Sequence, residues 1–485
     1  MPSCFYRLLT RIRCFRMPES GLSIHLMLRL LGGIFFLNFW SVGSQATGLW
    51  SERGLTPTVL WPWVLPALFL GGIAGLLLLA GRLPWWSLLT AWGTQVFLLQ
   101  LDGPWMRFQG DVLLAEIGFL SLFVASPAWR ILPCPSRIGS RNTGMILLNG
   151  LLIKVMLGSG WMKLTGGDPF WQRGTALHVF FETQPMPSGI GWFLHQLPGT
   201  VLEHALWYVV LFEVMLPAYV LLPRLYRAIA AIGFSVLMLL VIATGDHGWM
   251  PWLVILLSLL LIDDRTWRQW LPEGKGPAAA PVRVPKSVSL PGLVFLILWI
   301  PLAIGISFGQ GKDFFRPPWR QLGEGLARIG SGNRYAMYSR IQPRRFEIEI
   351  QGSLDGENWR EYLFNVKPGH PQRLPMLPSL HTHRLDLLFH QVAMHPDNPR
   401  ALQMYPWLTR LAGGLLENDP VVAGLLEINP FHDQPPRYVR FVTYQVRFAD
   451  PVTRRERGIW WLRSPRGLAG PVIRREESPH GADGT

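Results

Sequence analysis

Uninterrupted apolar runs such as Phe69 to Ala80 and Val236 to Ala243 constrain this chain more than any other feature. Such runs do not suit the half-polar surface of a soluble helix. A hydrocarbon core about 30 Å thick, by contrast, takes roughly 20 apolar residues of helix. On that length the sequence predicts nine spans, near 24–41, 59–80, 85–101, 111–127, 145–163, 201–222, 227–243, 247–263 and 288–308, the third, fourth and seventh of them short. Beyond Lys312, charge returns and apolar residues alternate with polar ones. The expected fold is therefore an α-helical polytopic membrane bundle followed by a β-sandwich-like domain with a helical insertion. Its divisions are an N-terminal segment 1–23, the helical domain 24–310, an interfacial linker 311–334, a β-rich domain 335–465 and a disordered tail 466–485.

Orientation follows from the basic residues in the short connections. With the N-terminus cytoplasmic, fifteen Lys and Arg, from Arg7, Arg11, Arg13 and Arg16 through Arg82, Arg130 and Arg224 to Lys286, fall on the cytoplasmic side. Only Arg53, Arg107, Lys163 and Arg173 fall on the other. The β-rich domain is then expected to be extracytosolic. Tyr6 to Glu19 lacks the compact apolar region of a cleavable leader, so the first helix is expected to direct insertion. Much of the net charge of +14 is this cytoplasmic belt. It faces membrane lipids, and nucleic acid is not an expected partner. Cys4, Cys14 and Cys134 all lie on the cytoplasmic side, which leaves the exported domain without a disulfide or thiol.

In that domain Phe346, Ile348 and Ile350 alternate with Glu347 and Glu349, the period of a half-buried strand. Asp355-Gly356 signals a turn, Tyr362 to Val366 is the expected return strand, and Trp359 the expected core aromatic of the hairpin. Tyr438 to Phe448 and Trp460 to Arg463 alternate again. Between them Leu408, Leu411, Leu415 and Leu416 have helical spacing.

No P-loop, His-Glu-X-X-His, Cys-X-X-Cys or nucleophile elbow is present. The candidate chemistry is ionisable groups inside spans: Glu116, Lys154 and Glu213. Counted at 1.5 Å per residue, Lys154 and Glu213 fall at matching depths, which predicts an ion pair between them. In the longest outer loop His178 and Glu182 share a helix face, with His195, Glu203 and His204 following. Such groups suit acid/base work or zinc, although no metal and no cofactor is expected. Asp168 before Pro169 reads as a helix cap, and Gly71, Gly72 and Gly75 as close helix packing.

Several stretches resemble the lipase maturation factor family: Gln109 to Leu120 (QGDVLLAEIGFL), Gly158 to Pro169 (GSGWMKLTGGDP), Phe181 to Pro187 (FETQPMP), His195 to Pro198, Glu349 to Tyr362 (EIQGSLDGENWREY), Asn429 to Phe431, Pro435 to Phe441 (PPRYVRF) and Trp460-Trp461. The resemblance implies a membrane-embedded maturation factor whose exported domain handles a secreted client, such as a lipase. Lacking an Asn-X-Ser/Thr sequon, a retention tetrapeptide after His480 and an external cysteine, the chain is expected in a bacterial cytoplasmic membrane rather than the endoplasmic reticulum. The expected client surface is Trp407, Leu408, Leu411 and Leu415 of the insertion. The alternative is a membrane enzyme acting on a lipid or quinone-linked substrate. Its architecture would resemble vitamin K dependent carboxylase, with Lys154, Glu116 and Glu213 lining a catalytic cavity.

Overall fold

A computed structural model of the chain describes residues 21–130, 140–270, 295–301, 304–305, 319–376, 379–395 and 404–475. Among these, five helices are long and apolar enough to cross a membrane. They are α1 (Gly21–Trp50), α2 (Trp61–Leu79), Asn142–Thr165 within α5 (Ser140–Thr165), α8 (Gly199–Tyr219) and α9 (Arg224–Thr244). Three further expected spans form shorter helices: α3 (Pro84–Leu99), α4 (Gln109–Ser121) and α10 (Met250–Ser258), the last continued by a 3-10 turn over Leu259–Leu261. At 1.5 Å per residue a 13-residue helix such as α4 is only about 20 Å long, short of a bilayer core. Most of α4 is buried against protein, Asp111 and Glu116 included. Its apolar character therefore reflects a bundle interior as much as a lipid environment. The ninth expected span lies largely outside the described residues, as does the segment 1–20.

Local sequence sets the helix starts. Pro62, Pro84 and Pro251 each stand in the first turn of their helix, where the missing N–H has no partner to lose. Helices α1 and α2 cross at Gly32 and Gly75, where an added Cβ would come within 2.9 Å of the facing backbone. Gly71 is equally tight against Phe39 and Thr94, whereas Gly72 has ample room. Two of the three glycines thus serve packing. Between α5 and α8 the chain makes two short helices, α6 (Ala176–Thr183) and α7 (Gly189–His195), and the small ribbon β1 (Met186–Pro187) with β2 (Gly245–Asp246).

The C-terminal region is built on one antiparallel sheet. Strands β3 (Arg345–Ser353), β4 (Trp359–Tyr362), β5 (Tyr438–Phe448) and β6 (Trp461–Leu468) run in the order β4-β3-β5-β6, and β7 (Ile473–Arg474) pairs with β5. The return strand is 359–362, not 362–366. Asp355 gathers the amides of Glu357 and Asn358 into a tight turn that puts Ser353 opposite Trp359. Trp359 is half-buried beneath the Arg440 guanidinium rather than in the core. Residues 466–475, expected as disordered tail, supply the end of β6 and all of β7.

No second sheet faces the first among the described residues. Helices α12 (Arg384–Ala393) and α13 (Pro406–Leu416) cover it instead, packing Phe389, Trp407 and Leu411 with Ile348, Ile350 and Phe441. That core is continuous with the bundle, reaching Leu49, Trp50 and Trp105. The preceding helix α11 (Trp319–Arg328) lies beside α3, whose Gln100 and Trp92 donate to the carbonyls of Arg328 and Ile329.

Candidate functional site

The charges buried in the bundle meet the chain that leads into the sheet. Residues 329–341, which span the end of the expected interfacial linker (311–334) and the start of the expected β-rich domain, run through protein, with Ser331 and Tyr335 buried. Gly330 and Gly332 both take positive φ, and a Cβ on Gly330 would come within 2.6 Å of Ala115 on α4. This close approach carries the linker to Glu116. The carboxylate accepts four donors: Lys154 Nζ at 3.1 Å, the Gly332 amide at 3.0 Å, Asn333 Nδ2 at 3.2 Å and the Tyr335 hydroxyl at 2.6 Å. Burial, and then the adjacent carboxylate, hold the Tyr335 hydroxyl protonated well above its ordinary range. Further along, Ser159 Oγ accepts from the Met337 amide. Asp168 caps its short helix as expected through Phe170 and Trp171, and also accepts from the Ile341 amide.

The expected Lys154–Glu213 pair does not form. Lys154 pairs with Glu116, and Glu213 pairs with Lys163 at 2.5 Å. The register of α5 against α8 explains the exchange. A Cβ on Gly160 would sit 2.8 Å from the Glu213 Cβ, so the helices cross there. Lys163 is three residues from that crossing on the same face, while Lys154 is about 9 Å back along the axis. Helix α8 also begins beyond the end of α5, so counting both from a common membrane plane misplaced them.

The second anchor is a cation that enters the bundle from the sheet side. Arg384, at the start of α12, makes a two-pronged ion pair with Asp111 of α4, one arm at 2.8 Å. It also donates to the Trp105 carbonyl at 3.0 Å and Asn38 Oδ1 at 3.2 Å. Asn38 in turn donates to Gln95 and accepts from Trp249, so one polar chain ties α1, α3, α4 and α10 to the sheet region. The fork geometry of guanidinium suits this role where a lysine would reach only one oxygen.

The third anchor is Arg345, which donates to the carbonyls of Glu182, Gln184 and Pro185 and pairs with Glu347 at 2.5 Å. Lys367 meets the same carboxylate at 3.0 Å. Burial would raise the Glu347 pKa, but Lys367 and Arg345 together bring it below its ordinary value. All three side chains are buried, an arrangement that is stable only because each charge is compensated.

The outer-loop histidines and carboxylates separate into two contacts. His178 faces Glu203 at 3.8 Å and His195 faces Glu182 at 3.9 Å, so His178 and Glu182 are not partners. His204 turns back to the Thr200 carbonyl. Glu182 accepts from the Phe448 amide at 2.7 Å, joining α6 to the end of β5. Burial raises its pKa, and burial lowers that of His195. Among the described residues no three His, Cys, Asp or Glu side chains are grouped as metal ligands.

Trp407, Leu408, Leu411 and Leu415 are buried between the sheet, Phe389 and Trp105. They are core side chains in this conformation, not an exposed client surface. The Gly413-Gly414 step lies within α13, and Gly414 packs tightly on Val422. Sequence reasoning missed Asp111, Arg384, Arg345, Glu347, Lys367 and Tyr335 as partners. The available signal was a charged residue inside an apolar segment, as in Gln109–Leu120 and Arg384–Ala393.

The fold and this buried seam define an integral membrane protein whose helical bundle and C-terminal sheet are joined by compensated charges. Two family descriptions match it, "Lipase maturation factor transmembrane domain" over residues 63–269 and "Lipase maturation factor C-terminal domain" over residues 331–471. The chain belongs to the lipase maturation factor family. It is 28% identical to lipase maturation factor 1 of Bos taurus over 470 residues, covering 88% of this chain and 80% of that protein. It is 27% identical to lipase maturation factor 1 of Homo sapiens (92% and 82%) and 26% identical to lipase maturation factor 2 of Rattus norvegicus (86% and 75%). No solved structure matches.

Proposed function

We propose that this protein is a membrane-embedded maturation factor that assists folding or assembly of secreted client proteins, lipases among them, by presenting its sheet domain on the extracytosolic side of a bacterial cytoplasmic membrane. The observation that carries the reading is the seam. Asp111, Glu116 and the 182–185 carbonyls fix the sheet domain to the bundle through Arg384, Tyr335 and Arg345. A binding domain held this way has a fixed position at the membrane surface, where a newly exported chain emerges. The names of the relatives support lipase as a client class. The excess of Lys and Arg on alternate connections supports the orientation.

The ion pairs of Lys154, Glu116 and Glu213 favour a structural role over the catalytic cavity of a membrane enzyme. Each carboxylate is already occupied by a lysine. With neither cysteine nor disulfide beyond the membrane, client assistance proceeds by contact rather than thiol exchange. In-membrane crosslinking followed by recovery of the tagged full chain tests the proposal. The expected result is a secreted hydrolase crosslinked to the sheet domain; recovery of cytosolic proteins alone overturns it. C-terminal fusions to alkaline phosphatase and to a cytoplasm-only fluorescent reporter test the side separately, an active phosphatase being expected.

A further inference from the structure

Between α7 and the Pro451–Arg457 helix of the sheet domain lies a cleft of about 490 Å³ whose walls include Trp192, Phe193, Gln196, Arg454, Arg455 and Trp460. Its construction is specific. Trp192 is buried and tied down by donating its indole N–H to the Ala449 carbonyl at 2.8 Å, and its ring meets that of Trp460 edge-on at 5.4 Å. The Arg454 guanidinium lies over both rings, 3.8 Å from the Trp460 centroid and 4.9 Å from that of Trp192. The helix carrying it is set by Asp450, whose carboxylate is taken up by the amides of Val452 and Thr453 and the Thr453 hydroxyl. Among the described residues no carboxylate pairs with Arg454 or Arg455. Glu456 is on the opposite side of the helix from Arg454. Stacking fixes the plane of a guanidinium and leaves its N–H edge free for an anion.

The two helices that flank this cleft expose apolar side chains. Phe193 is 59% exposed, Val452 62% and Ile190 45%, and α7 packs beside α9, whose Leu225, Ile229, Ile232, Val236 and Leu240 are exposed along its length. Bare aliphatic and aromatic side chains around paired cations, next to an exposed apolar helix, form the pattern of an interfacial lipid site. The acyl region wets these apolar side chains while the phosphate meets the arginines. An acidic peptide would use the cations but gain nothing from the apolar helix below.

We propose that the Trp192–Trp460–Arg454 cleft binds the phosphate headgroup of an anionic phospholipid at the membrane surface. The site does not depend on the client reading above.

The full-length protein in detergent is titrated with phosphatidylglycerol and with phosphatidylcholine of the same chains, and retained lipid is counted by native mass spectrometry. Wild type is expected to retain at least one phosphatidylglycerol in preference to phosphatidylcholine. The pair Arg454→Gln and Arg455→Gln should weaken that retention roughly tenfold or more, the scale set by two surface cations facing an anionic lipid. Arg53→Gln, an exposed control, should leave it unchanged. Arg455→Gln alone serves if the pair folds poorly, because Arg455 is exposed; a severalfold loss is expected. Equal retention of the two lipids by wild type, or undiminished phosphatidylglycerol on both the paired and single variants, overturns the proposal. So does Arg454-dependent binding of a Glu-rich peptide without any lipid preference, which would make the cleft a peptide site.

Discussion

Replacing Arg384 by Met removes the cation that reaches from the sheet domain into the bundle and leaves Asp111 without its partner. Both side chains are at most 2% exposed, so water cannot take the place of the guanidinium. The carboxylate is then left in a dry site with no cation to compensate it. Breaking a buried pair from one side costs roughly 3–5 kcal/mol. The Trp105 carbonyl loses a donor in the same step, for about 1 kcal/mol more. A total of roughly 4–6 kcal/mol is about three to four powers of ten in a folding equilibrium. The single variants Arg384→Met and Asp111→Leu and the double variant are purified in one detergent and melted by intrinsic fluorescence, with limited proteolysis reporting release of the C-terminal region. Each single variant should melt well below wild type and release that region early. The double variant should recover much of the loss, because no uncompensated charge remains. A single variant that melts like wild type, or a double variant no better than the singles, refutes the claim that this pair fastens the two regions together.

The pairing within the bundle is checked by double-mutant cycles on folded yield. Lys154→Met should couple to Glu116→Leu by about 1 kcal/mol or more and be additive with Glu213→Leu, whereas coupling to Glu213 rejects the observed register. Leu411→Ser, which puts a hydroxyl into a fully buried site, should cost about 3 kcal/mol and lower membrane abundance with client capture falling in proportion. Capture lost at normal abundance would instead make α13 a client surface. Burial, with Arg345 adding, pushes the His390 ring down to about 3, below its ordinary 6.5. The unfolded chain therefore binds the extra proton, and the stability His390 contributes is complete above pH 6.5 and lost as pH falls toward 3. Relative to His390→Gln, wild type should lose about 1.4 kcal/mol per pH unit in that window; thermal melts showing a gap that does not change with pH reject a neutral buried ring.

What the sequence made legible is what depends on local pattern. Eight of the nine apolar stretches correspond to described helices, and the strands beginning at Arg345 and Tyr438 were visible as alternation, because length and period are properties of contiguous residues. Partners were another matter. Glu116, Lys154 and Glu213 were identifiable as charges in apolar surroundings, but their pairing depends on a helix register set by Gly160, and on a linker entering the bundle by way of two left-handed glycines. Neither feature leaves a periodic trace. The sheet raises the same difficulty. Glu347 and Glu349 alternate with isoleucines as solvent-facing residues would, yet both are buried, because Arg345 on the same strand and Lys367 and Arg463 from other segments compensate them. Alternation reports only that two faces differ. It reads a buried charged face as a wet one, and a sheet closed by helices as half of a sandwich. The apolar insertion misled for the same reason: leucines at helical spacing define a face without saying what covers it, and here the cover is the sheet, Phe389 and the Trp105 end of the bundle. Charges that have no local explanation in an apolar segment are therefore the residues by which such a chain joins its two regions, and they are where substitution should separate loss of assembly from loss of client binding.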